Sequence, residues 1–366
     1  MKSFQYADAA VEQGINIRFR DPKQAEVMEV QDTLGKIADW MGHDLRMEGP
    51  PPKGFLIKEL TEQQRNLLNA VLGLQYARRN AEQQAELRNV PLVESGEQMV
   101  DLREHLQSGS QVSFSDKPFH EACGSYAKKK RIMCVRQEVA TKLMLVCRAL
   151  NEVHMSAHIE DCWRPPEVQQ GLLLRRLVDV ARANPDWNWE QVKMVAMSLT
   201  APSPGLAGHQ AGAAVDWRIY DIDGRDFLPL GNDYPEGGAH SSLEFPYLTA
   251  QQWRTRTLFA SVMRMQGFRL LLTEDWHASH GDRGMGADGA LTRKAHFGPL
   301  QSFNVQTEEV LAYEPQEREI PYFTDDEVQE LILRARLPGG GRGKFASKPT
   351  EIYAWFWHKK SEKKAD

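Results

Sequence analysis

Apolar residues recur along this chain at two spacings, and the spacings mark out its elements. Val27, Val30, Leu34, Ile37 and Met41 return every three or four residues, the stripe of one helical face. Prolines at 50–52, between Gly49 and Gly54, break that run. A second helix is expected from Thr61, where Thr-Glu-Gln-Gln has the form of a capping box. It carries Leu67, Leu68, Val71, Leu72 and Ala77, then turns very polar over 78–88. The 116–126 stretch reads as a loop. Val135, Val139, Leu143, Val146 and Leu150 mark a strongly amphipathic helix. Residues 155–163 alternate like a strand. Pro165-Pro166 ends that strand and opens a helix to about Ala183, which Asn184-Pro185-Asp186 stops.

Further on, 213–220 reads as a strand and 221–225 as a turn. Residues 249–266 read as a helix, with Thr249 and Gln252 in capping-box positions and Gly267 at its stop. An apolar strand over 268–273 leads into Glu274. Thr324-Asp325-Asp326-Glu327 caps a short helix through Arg336, and the glycine-rich 338–343 reads as flexible. This order predicts an α+β domain. It lacks the regular alternation of a doubly wound sheet, and no glycine-rich phosphate loop is present. The expected organisation is a helical N-terminal extension over 1–90, a central domain over 91–300 and a C-terminal extension over 301–366. The N-terminal helices read either as a surface for a protein partner or as a packing accessory.

Composition narrows the partners. The chain is 41% hydrophobic and 26% charged, ordinary for a soluble globular protein. Its net charge of -5 offers no basic field, so neither nucleic acid nor an anionic membrane is the expected partner. No apolar run reaches membrane-spanning length, and residues 1–8 lack the hydrophobic segment of a signal peptide, so a cytoplasmic location is expected. The basic run Lys359-Lys360-Ser361-Glu362-Lys363-Lys364 reads as a solvated tail. The four cysteines form no C-x-x-C pair and are expected to be reduced and buried.

The chemistry concentrates in His209-Gln210-Ala211-Gly212-Ala213-Ala214-Val215-Asp216 and in Glu274-Asp275-Trp276-His277. Two imidazoles, a carboxylate and a spare glutamate make the inventory of a catalytic zinc site. Gly212 and the alanines let the backbone turn closely around an ion. Glu274 and His277 stand three apart, so on an uninterrupted strand they would face opposite ways. The strand must end or bulge near Asp275, or the cleft must be walled from two sides. There is no H-E-x-x-H, so the chain is not a zincin.

His209-x-x-Gly212-x-Ala214-x-Asp216 followed by Glu274-x-Trp276-His277 resembles the paired signature of the VanX-like D-alanyl-D-alanine dipeptidases and their carboxypeptidase relatives. Asp161-Cys162-Trp163-Arg164-Pro165 resembles that family's Gly-Tyr-Arg-Pro segment, and Leu230-Gly231-Asn232 its Met-Gly turn. Gly281-Asp282-Arg283 and Phe297-Gly298-Pro299 resemble its C-terminal end, so the likeness covers about 91–300. The dipeptidase branch fits better than the carboxypeptidase branch. The resemblance implies a small α+β domain with a central antiparallel sheet, shared with hedgehog-type domains. It implies that His209, Asp216 and His277 hold one zinc ion, that Glu274 is the general base and that Arg164 stabilises the oxyanion. The implied substrate is D-Ala-D-Ala or a related short peptide of cell-wall metabolism.

The chain also departs from the family. Ala207 stands where the dipeptidases carry a serine, and Pro235 where they carry an aspartate for the substrate's ammonium. Asp233 and Glu236 flank that place, and Glu236 is the candidate substitute or else a plain loop carboxylate. These departures keep two alternatives open. One is a peptidoglycan carboxypeptidase or endopeptidase acting on larger fragments. The other is a zinc-bearing binding module without turnover.

Overall fold

A computed structural model describes residues 62–107, 111–223, 225–243, 245, 248–284, 294–307, 309–314, 320–337 and 347–365. The helix expected over 27–41, the proline break, Thr61 and the 338–343 segment lie outside them. Helix α1 (Glu62–Leu87) leads to strand β1 (Met99–Asp101), α2 (Leu102–Gln107) and β2 (Val112–Phe114). Strand β3 (Cys134–Arg136) runs straight into α3 (Gln137–Asn151), followed by β4 (Met155–Asp161), α4 (Pro166–Ala183) and α5 (Trp189–Ser198). Then come β5 (Ala214–Asp221), β6 (Asp226–Phe227), α6 (Ala250–Met265), β7 (Arg269–Leu271) and β8 (Glu274–Ser279). A hairpin of β9 (Leu300–Asn304) and β10 (Glu309–Tyr313) precedes α7 (Asp325–Arg336) and α8 (Pro349–Ala365).

The described residues therefore form eight α-helices around a mixed six-stranded sheet, an α+β arrangement. The sheet runs β2-β4-β5-β8-β7, with β6 paired to β5. Its pairings are antiparallel except β2 with β4. The expected antiparallel sheet is corrected at that edge. β2 reaches its place beside β4 through the α3 crossover, and a crossover returns a strand in parallel.

One face of the sheet packs on α3 and α6, where Val139, Leu143, Phe259 and Met263 meet Ile159, Trp217 and Ile219. Trp217 stacks on Phe259 with ring centroids 4.6 Å apart. A second core joins α4, α5, α7 and α8 through Leu173, Leu177, Val192, Leu331 and Phe356. Among the described residues no helix is long and apolar enough to cross a membrane. All four cysteines are free and buried, as expected.

Several elements match the expected pattern. α4 spans Pro166–Ala183, and α6 carries the expected Thr249–Gln252 capping box with Gly267 at φ 76°. Thr324 caps α7 with Glu327. Other expectations are corrected. Val135 lies in β3 rather than in the helix, because its strand pairs with β1 and the Arg136 N–H donates to the Gly212 carbonyl at 2.8 Å. The 268–273 strand is a hairpin start, so Glu274 opens a separate strand. Helix α5 was not anticipated, although Asn188 and Gln191 form its capping box. The first two lysines of the basic run at 359–364 are not solvated tail, though Ser361 and Glu362 are exposed. The run belongs to α8, where Lys359 pairs with Glu330 and Lys360 lies 3.9 Å from Glu327.

Arg256 fixes the entry to β8. Its guanidinium is buried and donates to the carbonyls of Leu230, Ser242 and His240 at 2.7, 2.5 and 2.6 Å. It also forms an ion pair with Asp275 at 2.7 Å. Burial pushes the Asp275 carboxyl up to about 6, which Arg256 opposes, so it is charged at neutral pH. Arg256→Met strands that charge, and we expect a loss of about 3–5 kcal/mol in chemical denaturation at pH 7. The loss should be smaller at pH 5, where the orphaned Asp275 takes up a proton.

Candidate metal centre

His209 lies in the tight turn that precedes β5, and the turn needs glycine. Gly212 has φ 68°, and a Cβ there would lie 2.4 Å from the Met99 sulfur. A Cβ on Gly208 would lie 2.4 Å from a carboxylate oxygen of Asp282. β5 alternates strictly: Val215, Trp217 and Ile219 enter the core, which turns Asp216 to the opposite face. His277 arrives on the neighbouring strand, directly paired with Asp216.

The anticipated interruption of the strand is present. Leu270 faces Ala278, yet the next residue, Leu271, faces Glu274. β8 therefore carries extra residues opposite one step of β7, a bulge that re-aims its side chains. Glu274 Oε2 and His277 Nδ1 end 3.8 Å apart on the same side.

Three ligand atoms converge. His209 Nε2 lies 3.1 Å from Asp216 Oδ1 and 3.1 Å from His277 Nδ1, and His277 Nδ1 lies 3.0 Å from Asp216 Oδ1. The Nδ1 of His209 is 2.6 Å from the Cys162 carbonyl, which can only accept, so that nitrogen carries hydrogen. A neutral His209 ring then presents its Nε2 lone pair to the other two ligands. A shared proton or a cation must lie among these atoms to hold them together. Zinc bonds of 2.0–2.1 Å in a tetrahedron separate ligand atoms by about 3.3 Å, close to the spacing seen. Two nitrogens and one carboxylate oxygen fit such an ion.

The surroundings hold the ligands in register. Arg164 Nη2 donates to Asp216 Oδ2 at 2.6 Å, and its Nε donates to Asp161 at 2.9 Å. Tyr234 donates its hydroxyl to Asp216 Oδ2 at 3.1 Å. Burial raises the Asp216 carboxyl, but in the metal-free protein a His209 ring protonated on both nitrogens, and then Arg164, hold it well below the usual carboxylate range; a bound cation would take the place of that second proton. Burial also opposes the charge on Arg164, and Asp161 and Asp216 outweigh it, so the guanidinium stays protonated. Burial and the Asp216 charge keep the Tyr234 phenol protonated. In the metal-free protein, burial and then the Asp216 charge push the Glu274 carboxyl up to about 7.

A cleft of about 100 Å³ opens over these groups, lined by Arg164, Glu274, His277 and Asp282 and walled by Asn80 and Gln84 of α1. α1 is tied there by Asn80 Nδ2 donating to the Ser198 carbonyl at 3.0 Å and Gln84 Nε2 to the Met197 carbonyl at 2.9 Å. This part of the N-terminal extension packs on the domain and shapes the site. Of the residues singled out in the sequence, His209, Asp216, His277, Glu274 and Arg164 come together. Glu236 does not: it is exposed on the 231–238 loop and is absent from the cleft lining. Ala207 does line the cleft, and Pro235 only offers its carbonyl to Arg176 at 2.8 Å. Tyr234, Asp161 and Asp282 were not anticipated as site residues; Tyr234 joins through a tertiary contact, whereas Asp161 stands three residues before Arg164 and Asp282 three after Ser279, spacings that could have signalled them.

A second triad was also missed. Glu138, His280 and His296 bring one ligand atom each within 4.8 Å of the others, as do His209, Asp216 and His277, so either group can hold a metal ion.

No protein-family model matches the chain, and no curated protein matches it. The site therefore stands on its own geometry.

Glu274 gives a pH signature. Its folded carboxyl lies above the ordinary value of 4.5, so the metal-free fold binds the extra proton between pH 4.5 and about 7 and loses stability as pH rises through that window. Glu274→Gln removes this loss. Metal-free E274Q should exceed wild type by roughly 1–3 kcal/mol at pH 8 and match it near pH 4.5, read from denaturant midpoints. Zinc should narrow the pH 8 difference, because a nearby cation favours the carboxylate.

Proposed function

We propose that the chain is a zinc-dependent hydrolase of dipeptides or short peptides, D-Ala-D-Ala or a related D-amino-acid peptide of cell-wall metabolism being the best fit. The observation that carries this reading is the convergence of His209, Asp216 and His277 on one point, with the Glu274 carboxylate 3.8 Å from His277. The paired signature in the sequence supplies the substrate class.

Zinc, when bound, would polarise the peptide carbonyl and acidify a water. Glu274 takes a proton from the attacking water as the water oxygen bonds to the carbonyl carbon. Glu274 then passes that proton to the amide nitrogen as the C–N bond breaks. Arg164 uses Nε and Nη2 on Asp161 and Asp216, and its Nη1 is left to donate to the carbonyl oxygen as negative charge builds there. The carboxylate expected near Pro235 for a substrate ammonium has a replacement in the cleft, Asp282, which accepts from Ser279 Oγ at 3.0 Å. The α1 wall and the small cleft favour a short peptide over a cross-linked wall fragment.

Glu274→Gln should retain zinc but lower kcat on D-Ala-D-Ala by about 10²–10⁴-fold. Unchanged turnover in a zinc-loaded variant would sink the mechanism, while wild-type hydrolysis confined to a stem pentapeptide would transfer the site to wall fragments. Asp282→Asn should raise KM for the free dipeptide about 10- to 100-fold, the loss of one charge-assisted hydrogen bond, and leave the N-acetylated dipeptide unaffected.

A further inference from the structure

Just past the end of β8, three residues beyond His277, a second set of ligands meets. Glu138 stands in the first turn of α3, His280 directly follows β8, and His296 lies shortly before β9. Glu138 Oε1 is 2.9 Å from His280 Nε2, and Oε2 is 3.3 Å from His296 Nε2. We propose that Glu138, His280 and His296 form a second binding site for a divalent metal ion of the zinc class, distinct from the cleft.

The chemistry of His280 supports this. Its Nδ1 lies 3.0 Å from the Gly267 carbonyl oxygen, which can only accept. Nδ1 therefore carries hydrogen, and a neutral ring turns its Nε2 lone pair toward the Glu138 carboxylate. A lone pair and a carboxylate oxygen do not sit 2.9 Å apart without a cation between them, a proton or a metal. A ring nitrogen anchored on a backbone carbonyl, with the other nitrogen presented to a site, is the usual posture of a metal-bound imidazole. Two imidazoles and one carboxylate suit zinc or a related first-row ion.

The backbone around the triad is set. The Glu138 N–H donates to Glu97 Oε1 at 2.7 Å, the His280 N–H to the Ala213 carbonyl at 2.9 Å and the His296 N–H to the Gly281 carbonyl at 2.8 Å. His280 packs edge-on to Phe268 and His296 to Phe297, with centroids 5.8 and 4.3 Å apart. The Glu138 side chain is 42% exposed and that of His296 34%, so the site opens to water for a fourth ligand. Lys142 lies 3.7 Å from Glu138 Oε1, but its ammonium also donates to the Gln266 carbonyl at 3.2 Å, so it need not displace an ion. A bound ion would tie the start of α3 to both flanks of the 281–295 segment.

The test is zinc stoichiometry on the metal-free full chain, by calorimetric titration with Zn²⁺ and metal analysis after dialysis. Wild type should take up two equivalents. His296→Ala and Glu138→Gln should each take up one, and His209→Ala should also take up one. Combining H209A with H296A should abolish uptake. One equivalent in wild type, lost in H209A and retained in H296A, would overturn this site and leave the cleft's zinc intact. The converse, one equivalent lost only in H296A, would uphold this site and remove the proposed function. Two equivalents unaffected by both H296A and E138Q would also overturn it, with a shared proton then joining His280 to Glu138.

Discussion

The convergence of His209 Nε2, Asp216 Oδ1 and His277 Nδ1 on one point is the constraint on which the site depends. Three ligand atoms about 3 Å apart hold together only with a proton or a cation to share and with support from behind. Here each is held from behind. The Cys162 carbonyl orients one imidazole, Arg164 and Tyr234 occupy the far oxygen of the aspartate, and adjacent strand pairing sets the second imidazole opposite that aspartate. The supports come from segments far apart in sequence, so the site forms only when the sheet does. Such preorganisation is what an ion or a developing charge exploits, since little is left to rearrange on binding.

The sheet divides the labour. Its α3 and α6 face is a dry core in which Trp217, Phe259 and Phe268 set the spacing of the strands. The other face carries the charged groups, closed in by α1, α4 and α5. A break in the β7–β8 register lets one strand serve both faces at once, giving Asp275 to Arg256 and His277 to the cleft. Local irregularity of this kind concentrates at sheet edges beside functional groups.

Much of this was legible in the residues themselves, and the reasons differ by element. Pro166 and the 184–186 stop bounded α4, and paired caps located α6 and α7, because those signals act through adjacent backbone groups. If Glu274 and His277 were to share a face, strand geometry asked for an interruption near Asp275 or a cleft walled from two sides, and the structure has the interruption. Val135 misled because an apolar residue beside a helix keeps the helical spacing while pairing as a strand. The lysines of α8 misled because their partners, Glu327 and Glu330, lie on another helix. The ligands at 209, 216 and 277 were visible as residue types at telling spacings. Tyr234 and the Glu138 triad were not, since nothing in their local context announces which distant group they will meet, while Asp161 and Asp282 sit three residues from partners that the sequence did show.

Gln210 links the metal loop to the far end of the chain. Its side chain donates to the Leu300 carbonyl at 3.1 Å and to Glu314 at 3.3 Å, and accepts from the Tyr322 hydroxyl. Its own carbonyl accepts from Trp163 and from the Leu300 N–H at 3.1 and 3.0 Å. The residue beside His209 is therefore moored by a stretch that begins where the motif segments at 281–299 stop. The unit that holds the candidate site is longer than its signature. A fragment ending at 300 would keep every candidate ligand and Leu300 yet lose Glu314 and Tyr322, two partners of a fully buried amide, and such an amide draws water or collapses inward. Residues past 300 thus bear on the site without contributing a ligand to it.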